Sequence, residues 1–231
     1  MQRQAGTDID NAEAFNAVLR ARRSVRGFLP QAVPQEVLEQ IVTLAACAPS
    51  NCNTQPWKVY VVSGEVRAQL GRDMSSAMSS GKMSPDVPYD GRYEGVYQAR
   101  QHDSARQLYS AMNITREDTA GRGAAFMRNF KFFDAPHVAF FFLPEGFGVR
   151  EAADLGMCAQ TFMLALTAHG LASCPQTALS FHAGLVRAAV DAPAGDVLLF
   201  GISFGHEDPK VQANTARVGR AGPGENFTFI G

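Results

Sequence analysis

The sequence Pro49-Ser50-Asn51-Cys52-Asn53-Thr54-Gln55-Pro56-Trp57 decides the fold, because it separates two segments of different periodicity. Before it, apolar residues recur at helical spacing from Val37 to Ala45, and Pro49 ends that helix. After it, residues 59–62 are apolar and rich in valine, which predicts a strand. A loop with these amides and hydroxyls can present donors and acceptors to a flat heterocycle; the alternative is an ordinary helix-to-strand connection.

A second polar segment, Arg20-Ala21-Arg22-Arg23-Ser24-Val25-Arg26, concentrates four arginines on an otherwise neutral chain. Guanidinium groups bind phosphate in a two-pronged geometry, and a nearby serine hydroxyl adds a hydrogen bond. Basic residues also favour the last turn of a helix, so a solvated helix end explains the cluster equally well.

Two further segments contain candidate ligands. Residues 173–178 lie at the end of a predicted strand, and backbone amides become free at such an end. The alternative is a simple turn. Asn214, Arg217 and Arg220 lie far downstream of the first arginine cluster. They either close a phosphate site from the other side or are exposed to solvent.

The composition excludes several classes of protein. The 231 residues suit one domain, and 46% hydrophobic residues allow a sizeable core. A formal net charge of −1 gives no general attraction to nucleic acid or to membranes. The four cysteines form no CxxC pair and the histidines lack metal-ligand spacing, so we expect free thiols, no metal and a cytoplasmic location. The polar start does not resemble a signal peptide, and the most apolar long stretch, residues 152–171, contains Asp154, which argues against a membrane span.

The distribution of predicted elements indicates an α+β fold, with a small central sheet flanked by helices. Strands are predicted at residues 59–62, 138–143, 172–174 and 197–204. Three helices are predicted to begin near Asp10, which would cap the first, near Pro34 and near Arg67. Two more are predicted over residues 93–128, with a turn at 116–123, and over 151–169. The tail at 222–230 is predicted to be extended. Because the 151–169 helix is apolar nearly all round and the tail is apolar, we expect a homodimer with a long central interface helix and an exchanged C-terminal tail.

The order of these motifs resembles the FMN-dependent nitroreductase family, which includes nitroaromatic and nitrobenzoate reductases. The first two motifs are R-R-S-V-R and A-P-S-x-x-N-x-Q-P-W. The chain continues with N-F-x-F-F-x-A-P before a strand and with D-L-G on the long helix. The last motifs are G-L-A-S-C-P, F-G and N-x-x-R, in that order. The resemblance covers about residues 12 to 220; each motif is short, but together, in the same order and spacing, they are specific.

The resemblance implies a mostly antiparallel sheet and a homodimer with FMN at the subunit interface. Arg22, Arg23, Ser24 and Arg26 would hold the phosphate and ribityl chain, and Arg217 would complete the phosphate site. The partner chain and the same chain would both contact the flavin ring, with the backbone N–H of Thr177 near flavin N5. The residues implied for the ring are Pro49, Ser50, Asn51 and Asn53 from the partner chain, and Pro175, Gln176 and Thr177 from the same chain.

The implied activity is reduction of small-molecule acceptors, either nitroaromatic or quinone-like, with NAD(P)H as electron donor. Hydride would pass through flavin N5 in a ping-pong sequence, which needs an open cavity rather than an acid–base dyad. Residues 89–128 would form an acceptor-side cover within one nitroreductase-like domain over 1–231, where Arg122 or Arg128 would attract a carboxylated aromatic. Because fold does not fix function, a reductive dehalogenase, an enoate-type reductase, a flavin-modifying enzyme and a non-catalytic FMN-binding redox sensor remain alternatives.

Two other features invite different interpretations. Gly201-Ile202-Ser203-Phe204-Gly205 matches the nucleophile elbow of hydrolases, but that elbow must lead into a helix. Glu207-Asp208-Pro209 predicts a loop instead, so we do not expect Ser203 to be a nucleophile. Cys52 has no histidine near it in sequence, and we expect a buried, unreactive thiol.

Overall fold

The computed structural model describes the backbone of residues 5–231 and the side chains from residue 10 onward. Its centre is a four-stranded, fully antiparallel sheet in the order β1-β2-β4-β3. The α+β class predicted from the sequence is therefore confirmed. The strands are β1 Lys58–Ser63, β2 His137–Leu143, β3 Ala172–Gln176 and β4 Val197–Gly205.

Helices cover both faces of this sheet. The described helices are α1 Ala5–Ala21, α2 Gln35–Ala45, α3 Gly64–Ser79, α4 Gly95–Ala111, α5 Thr119–Met127, α6 Val149–Ala168, α7 Ala183–Val190 and α8 Pro223–Asn226. Short 3-10 turns occupy Asn51–Asn53, Arg128–Asp134, Thr177–Ser180 and Gln212–Thr215.

Strand β2 explains why the core has two layers. All seven of its residues are buried, and alternate side chains point to opposite faces. Phe141 packs with α2 and α6 on one face, whereas Phe140 and Phe142 pack with α3 and α7 on the other. Burying each such phenylalanine contributes about 1.5–3 kcal/mol, so the uniformly apolar pattern fixes this strand at the centre.

The long helix α6 packs one face against the sheet through Leu155, Phe162 and Leu166. Its opposite face carries the partly exposed Met157, and Val149 at its start is 86% exposed. Part of the apolar surface of α6 therefore remains exposed in a single chain.

Three predicted boundaries are wrong. Asp10 lies inside α1 and does not cap it. The turn between α4 and α5 comes earlier than predicted, because the Asp118 side chain caps α5 by accepting the N–H of Gly121 at 2.8 Å. The tail begins with the short helix α8, since Glu225 accepts the N–H of Gly222 at 3.1 Å; only the residues after it are extended.

Candidate cofactor site

The two arginine groups that lie far apart in sequence meet around one cavity of about 610 Å³. Arg22, Arg23, Ser24 and Arg26 line one side, directly after the C-terminus of α1. Residues 216–220, with Arg217 and Arg220, line the other side. The structure therefore brings together every residue that the sequence assigned to a phosphate site.

Most of these arginines lack an acidic partner. Arg23 forms an ion pair with Glu207, which the sequence analysis did not anticipate. Within residues 10–231, the guanidinium groups of Arg22, Arg26, Arg217 and Arg220 contact no carboxylate. Arg20 lines the same cavity and likewise contacts no carboxylate among these residues. A cavity with these uncompensated guanidinium groups suits a phosphate dianion, because such groups bind phosphate oxygens through charge-assisted hydrogen bonds.

The environment of Arg22 disfavours its positive charge. Burial lowers the pKa of Arg22 from its usual value, and the positive charge of Arg220 lowers it further. An arginine remains charged under these conditions. A bound anion would offset both effects.

Asn214 connects the two sides of the cavity. Its buried side chain accepts the N–H of Arg26 at 2.7 Å and donates to the carbonyls of Gly27 and Asp208, each at 2.9 Å. Its backbone oxygen accepts from Arg23 at 3.0 Å and from Arg217 at 2.7 Å. One asparagine thus fixes the backbone of the first cluster and orients an arginine from each side.

The arginine segment is attached to the edge strand of the sheet. Ser24 forms a parallel bridge with Ser173, and the N–H of Val25 donates to the carbonyl of Ser173 at 3.0 Å. Ser173 also has a buried hydroxyl without a partner in the described part of the chain.

The arginine segment is also closely packed at its end. Gly27 approaches Val211 so closely that a Cβ at this glycine would lie 2.6 Å from the side chain of Val211.

Strand β3 ends at the residues expected to face a flavin ring. Pro175 and Thr177 are exposed. The N–H of Thr177 starts a 3-10 turn and has no acceptor among the described residues, as is usual for the first amide of such a turn. The side chain of Gln176 points inward, contacts Ser203 and Asn129, and is 3% exposed, so its backbone alone is available at this surface.

The polar loop before Trp57 lies on α6 and not on the arginine cavity of its own chain. The N–H of Asn51 donates to the buried Asp154 at 3.0 Å, and the hydroxyl of Ser50 accepts the N–H of Gln55 at 2.9 Å. Pro49, Asn51 and Asn53 are exposed. The expectation that Cys52 is buried is wrong: it is exposed, because the left-handed backbone at this residue turns the loop outward.

Helices α4 and α5 stand beside this site. A small cavity of about 90 Å³ lies between them, next to Arg26, Tyr109, Met112, Phe126 and Asn129. The two arginines suggested for a carboxylated aromatic already have contacts. Arg122 lies 5.5 Å from the ring centre of Tyr109, and Arg128 pairs with Asp134 at 2.9 Å.

Two features of the described chain bear on other classes of protein. Residues 10–231 contain no group of three or more histidine, cysteine, aspartate or glutamate side chains that could hold a metal ion. In the same residues, no helix combines the length and the hydropathy needed to span a bilayer. Ser203 of the hydrolase-like motif lies fully buried inside β4, as expected for a residue that is no nucleophile.

An antiparallel sheet flanked by helices, with an arginine-lined cavity beside its edge strand, is an α+β fold whose cavity suits a phosphorylated ligand. The sequence profile of the Nitroreductase family matches residues 19–206, and the chain belongs to that family. Nitroreductase NfnB of Mycolicibacterium smegmatis is 43% identical over 225 residues, which are 97% of this chain and 96% of that protein. The 4-nitrobenzoate reductase of Pseudomonas putida is 30% identical over 206 residues, 89% of this chain and 91% of that protein.

Solved structures agree with this assignment. The FMN-dependent nitroreductase NfnB from Mycobacterium smegmatis, in complex with NADPH, matches with a TM-score of 0.91 at 43% identity, over 95% of this chain and 99% of that one. The FMN- and NADPH-dependent nitroreductase NfnB from sphigopyxis sp. strain HMH matches with a TM-score of 0.90 at 33% identity, over 94% of this chain and 99% of that one.

Proposed function

We propose that this protein is an FMN-dependent oxidoreductase that uses NAD(P)H to reduce nitroaromatic or quinone-like acceptors. The observation that carries the proposal is the cavity at which several guanidinium groups without carboxylate partners meet, on a segment that is bridged to strand β3 at Ser173. Relatives named as a 4-nitrobenzoate reductase and as FMN- and NADPH-dependent nitroreductases support the cofactor, the donor and the acceptor class.

The phosphate of FMN would be held by Arg22, Arg26 and Arg217, with Ser24 donating its hydroxyl. Arg23 would support them from its pair with Glu207. When bound, FMN supplies the redox centre that passes a hydride from NAD(P)H to the acceptor. The chain itself contributes binding, orientation and fixed donors, which agrees with a site that has no acid–base dyad.

The flavin ring would lie at the end of β3, over Pro175 and the backbone of Gln176 and Thr177. The unpaired N–H of Thr177 is a fixed donor at this position, available to stabilise negative charge on the ring without reorganisation. Arg26, which lines both the large and the small cavity, adds positive charge between the phosphate end and helices α4 and α5.

We further propose a cytoplasmic homodimer, in which Pro49, Ser50, Asn51 and Asn53 reach the flavin of the partner chain. In its own chain this loop is exposed and lies away from the arginine cavity. Large apolar side chains without cover support the same arrangement. These are Phe15 on α1, Val149 and Met157 on α6, and Phe227, Phe229 and Ile230 in the tail that would exchange between chains.

The proposed dimer consists of two copies of one nitroreductase-like domain over residues 1–231, with residues 89–128 as the acceptor-side cover. The single described sheet, to which helices pack on both faces, supports one domain. The cavity between α4 and α5 supports the cover, since aromatic and apolar side chains line it.

The visible spectrum of the purified protein tests the cofactor. The native protein should show a flavin spectrum, or gain one when FMN is added. The double variant Arg22→Ala/Arg217→Ala should keep its fold and lose FMN, whereas Arg72→Ala, an exposed arginine on α3, should retain it. A native protein that never binds FMN contradicts the proposal.

Turnover separates the enzyme from a redox sensor. Steady-state NADPH oxidation should depend on added 4-nitrobenzoate or on a quinone. A protein that binds FMN but shows no acceptor-dependent oxidation would be a flavin-binding sensor.

A further inference from the structure

A chain of side-chain hydrogen bonds, buried at its start on the sheet, runs from strand β4 through the end of β3 to helix α5. It consists of Ser203 on β4, Gln176 at the end of β3 and Asn129 just after α5; we call these three residues the amide relay. The hydroxyl of Ser203 donates to Oε1 of Gln176. Nε2 of Gln176 donates to the backbone oxygen of Asn129 at 3.2 Å and to its Oδ1 at 3.1 Å.

The relay continues into the last turn of α5. Nδ2 of Asn129 donates to the backbone oxygen of Phe126 at 2.8 Å. Phe126 lies beside the small cavity between α4 and α5, together with Arg26, Tyr109 and Met112. The relay therefore connects the strand end proposed for the flavin ring to the wall of the neighbouring cavity.

The direction of every hydrogen bond in the relay is fixed. A backbone oxygen can only accept, so the carbonyl of Asn129 requires Nε2 of Gln176 to face it. Oε1 of Gln176 must then face Ser203, whose hydroxyl has to donate. The carbonyl of Phe126 fixes the amide of Asn129 in the same way. Because Ser203 and Gln176 are 0% and 3% exposed, water cannot replace a lost partner without a structural change.

We propose that Gln176 is a positioning residue, whose side chain holds the end of β3 and the C-terminus of α5 in one arrangement. The proposal rests on the proposed function, because it is at this strand end that Pro175 and the Thr177 amide would meet the ring. Through Asn129, the same side chain sets the position of Phe126. The flavin-facing backbone and the acceptor-side wall would therefore be adjusted together, and Ser203 of the hydrolase-like motif would serve as the anchor of this unit.

The relay predicts different effects for its three members. Gln176→Met keeps the length of the side chain but removes every hydrogen bond, and should lower kcat/KM for the acceptor about tenfold, near the upper end for loss of neutral hydrogen bonds. Ser203→Ala removes one donor and should lower it roughly threefold. Asn129→Asp keeps the acceptors for Gln176 but loses the donor to Phe126, so the KM for the acceptor should rise more than kcat falls.

The experiment measures four properties of the holoprotein: FMN content, flavin circular dichroism, acceptor KM and kcat, and hydrogen exchange of the α5 amides. Gln176→Met should keep FMN, change the flavin dichroism and speed exchange in α5. The double variant Gln176→Met/Ser203→Ala should be no worse than Gln176→Met alone, because residues of one relay are not additive. Gln69→Met, an exposed glutamine on α3, is the matched control and should behave as the native protein.

Several outcomes overturn the proposal. Native flavin dichroism and native acceptor kinetics in Gln176→Met would show that the side chain positions nothing. Additive effects in the double variant would contradict a relay. If Gln176→Met fails to fold, Ser203→Ala decides through the same readouts. Hydrogen exchange of α5 can also be compared between native protein and variants without FMN, so a native protein that never binds FMN refutes the proposed function, while unchanged exchange in the variants refutes the relay.

Discussion

Replacing Asn214 tests whether the phosphate cavity depends on one buried side chain. Asn214→Ala removes three side-chain hydrogen bonds, which leaves the N–H of Arg26 and the carbonyls of Gly27 and Asp208 without these partners. Leaving a buried polar group unsatisfied costs about 1–3 kcal/mol. Since some of these groups will regain water, we expect the free energy of unfolding to fall by about 2–5 kcal/mol.

The same change should also weaken FMN binding. The carbonyl of residue 214 remains in the alanine variant, but it is no longer held where Arg23 and Arg217 bind it. Misplacing two guanidinium groups should reduce FMN affinity at least tenfold, because charge-assisted hydrogen bonds contribute about 1.5–3 kcal/mol each.

Two measurements check this prediction. Denaturant unfolding of the FMN-free protein gives the stability, and quenching of flavin fluorescence during titration gives the affinity. Asn11→Ala, which changes an exposed asparagine of α1, is the control and should affect neither. An Asn214→Ala protein with native FMN affinity would refute the view that this residue builds the cavity, whatever its stability.

Two further predictions concern pH and close packing. Burial, with a smaller contribution from Arg67, lowers the pKa of His137, whose Nε2 accepts the N–H of Val33 at 2.9 Å. The unfolded state therefore binds the proton more readily than the folded state. The free energy of unfolding should be highest above about pH 6.5 and should fall as the pH decreases from there. Unfolding curves at several pH values should show this dependence, and His137→Gln should weaken it. Gly27→Ala would place a methyl group 2.6 Å from Val211 and should cost about 1–3 kcal/mol and weaken FMN binding; adding Val211→Ala should restore part of both, and a single variant with native stability would contradict the tight contact.

The sequence predicts the strands well because their signal is local. Residues 138–143 are uniformly apolar, which is typical of a strand covered on both faces, and every residue of β2 is buried. The arginine cluster alone was compatible with a solvated helix end. The order of the motifs along the chain favours the phosphate interpretation, and the structure places both arginine groups at one cavity.

The contacts made by the side chains of Asn214 and Gln176 could not be predicted from the sequence, for a physical reason. Asn214 contacts residues of the arginine segment more than 180 positions earlier, and nothing near it in sequence records that contact. Gln176 was expected to line the flavin ring, but a pattern of residue types does not show that its side chain points into the core. Cys52 was misjudged because its exposure depends on a left-handed backbone.

Strand β3 sets the distance between the two parts of the proposed site. Ser173, near its start, holds the arginine segment through Val25, and Gln176, at its end, holds the surface proposed for the ring. A strand rises about 3.3 Å per residue, so the two ends are about 10 Å apart, comparable to the ribityl chain that joins phosphate to flavin. A one-residue slip of β3 against β4 would turn Gln176 outward and Pro175 inward. The relay through Ser203 opposes that slip, because its hydroxyl meets Gln176 in one register alone.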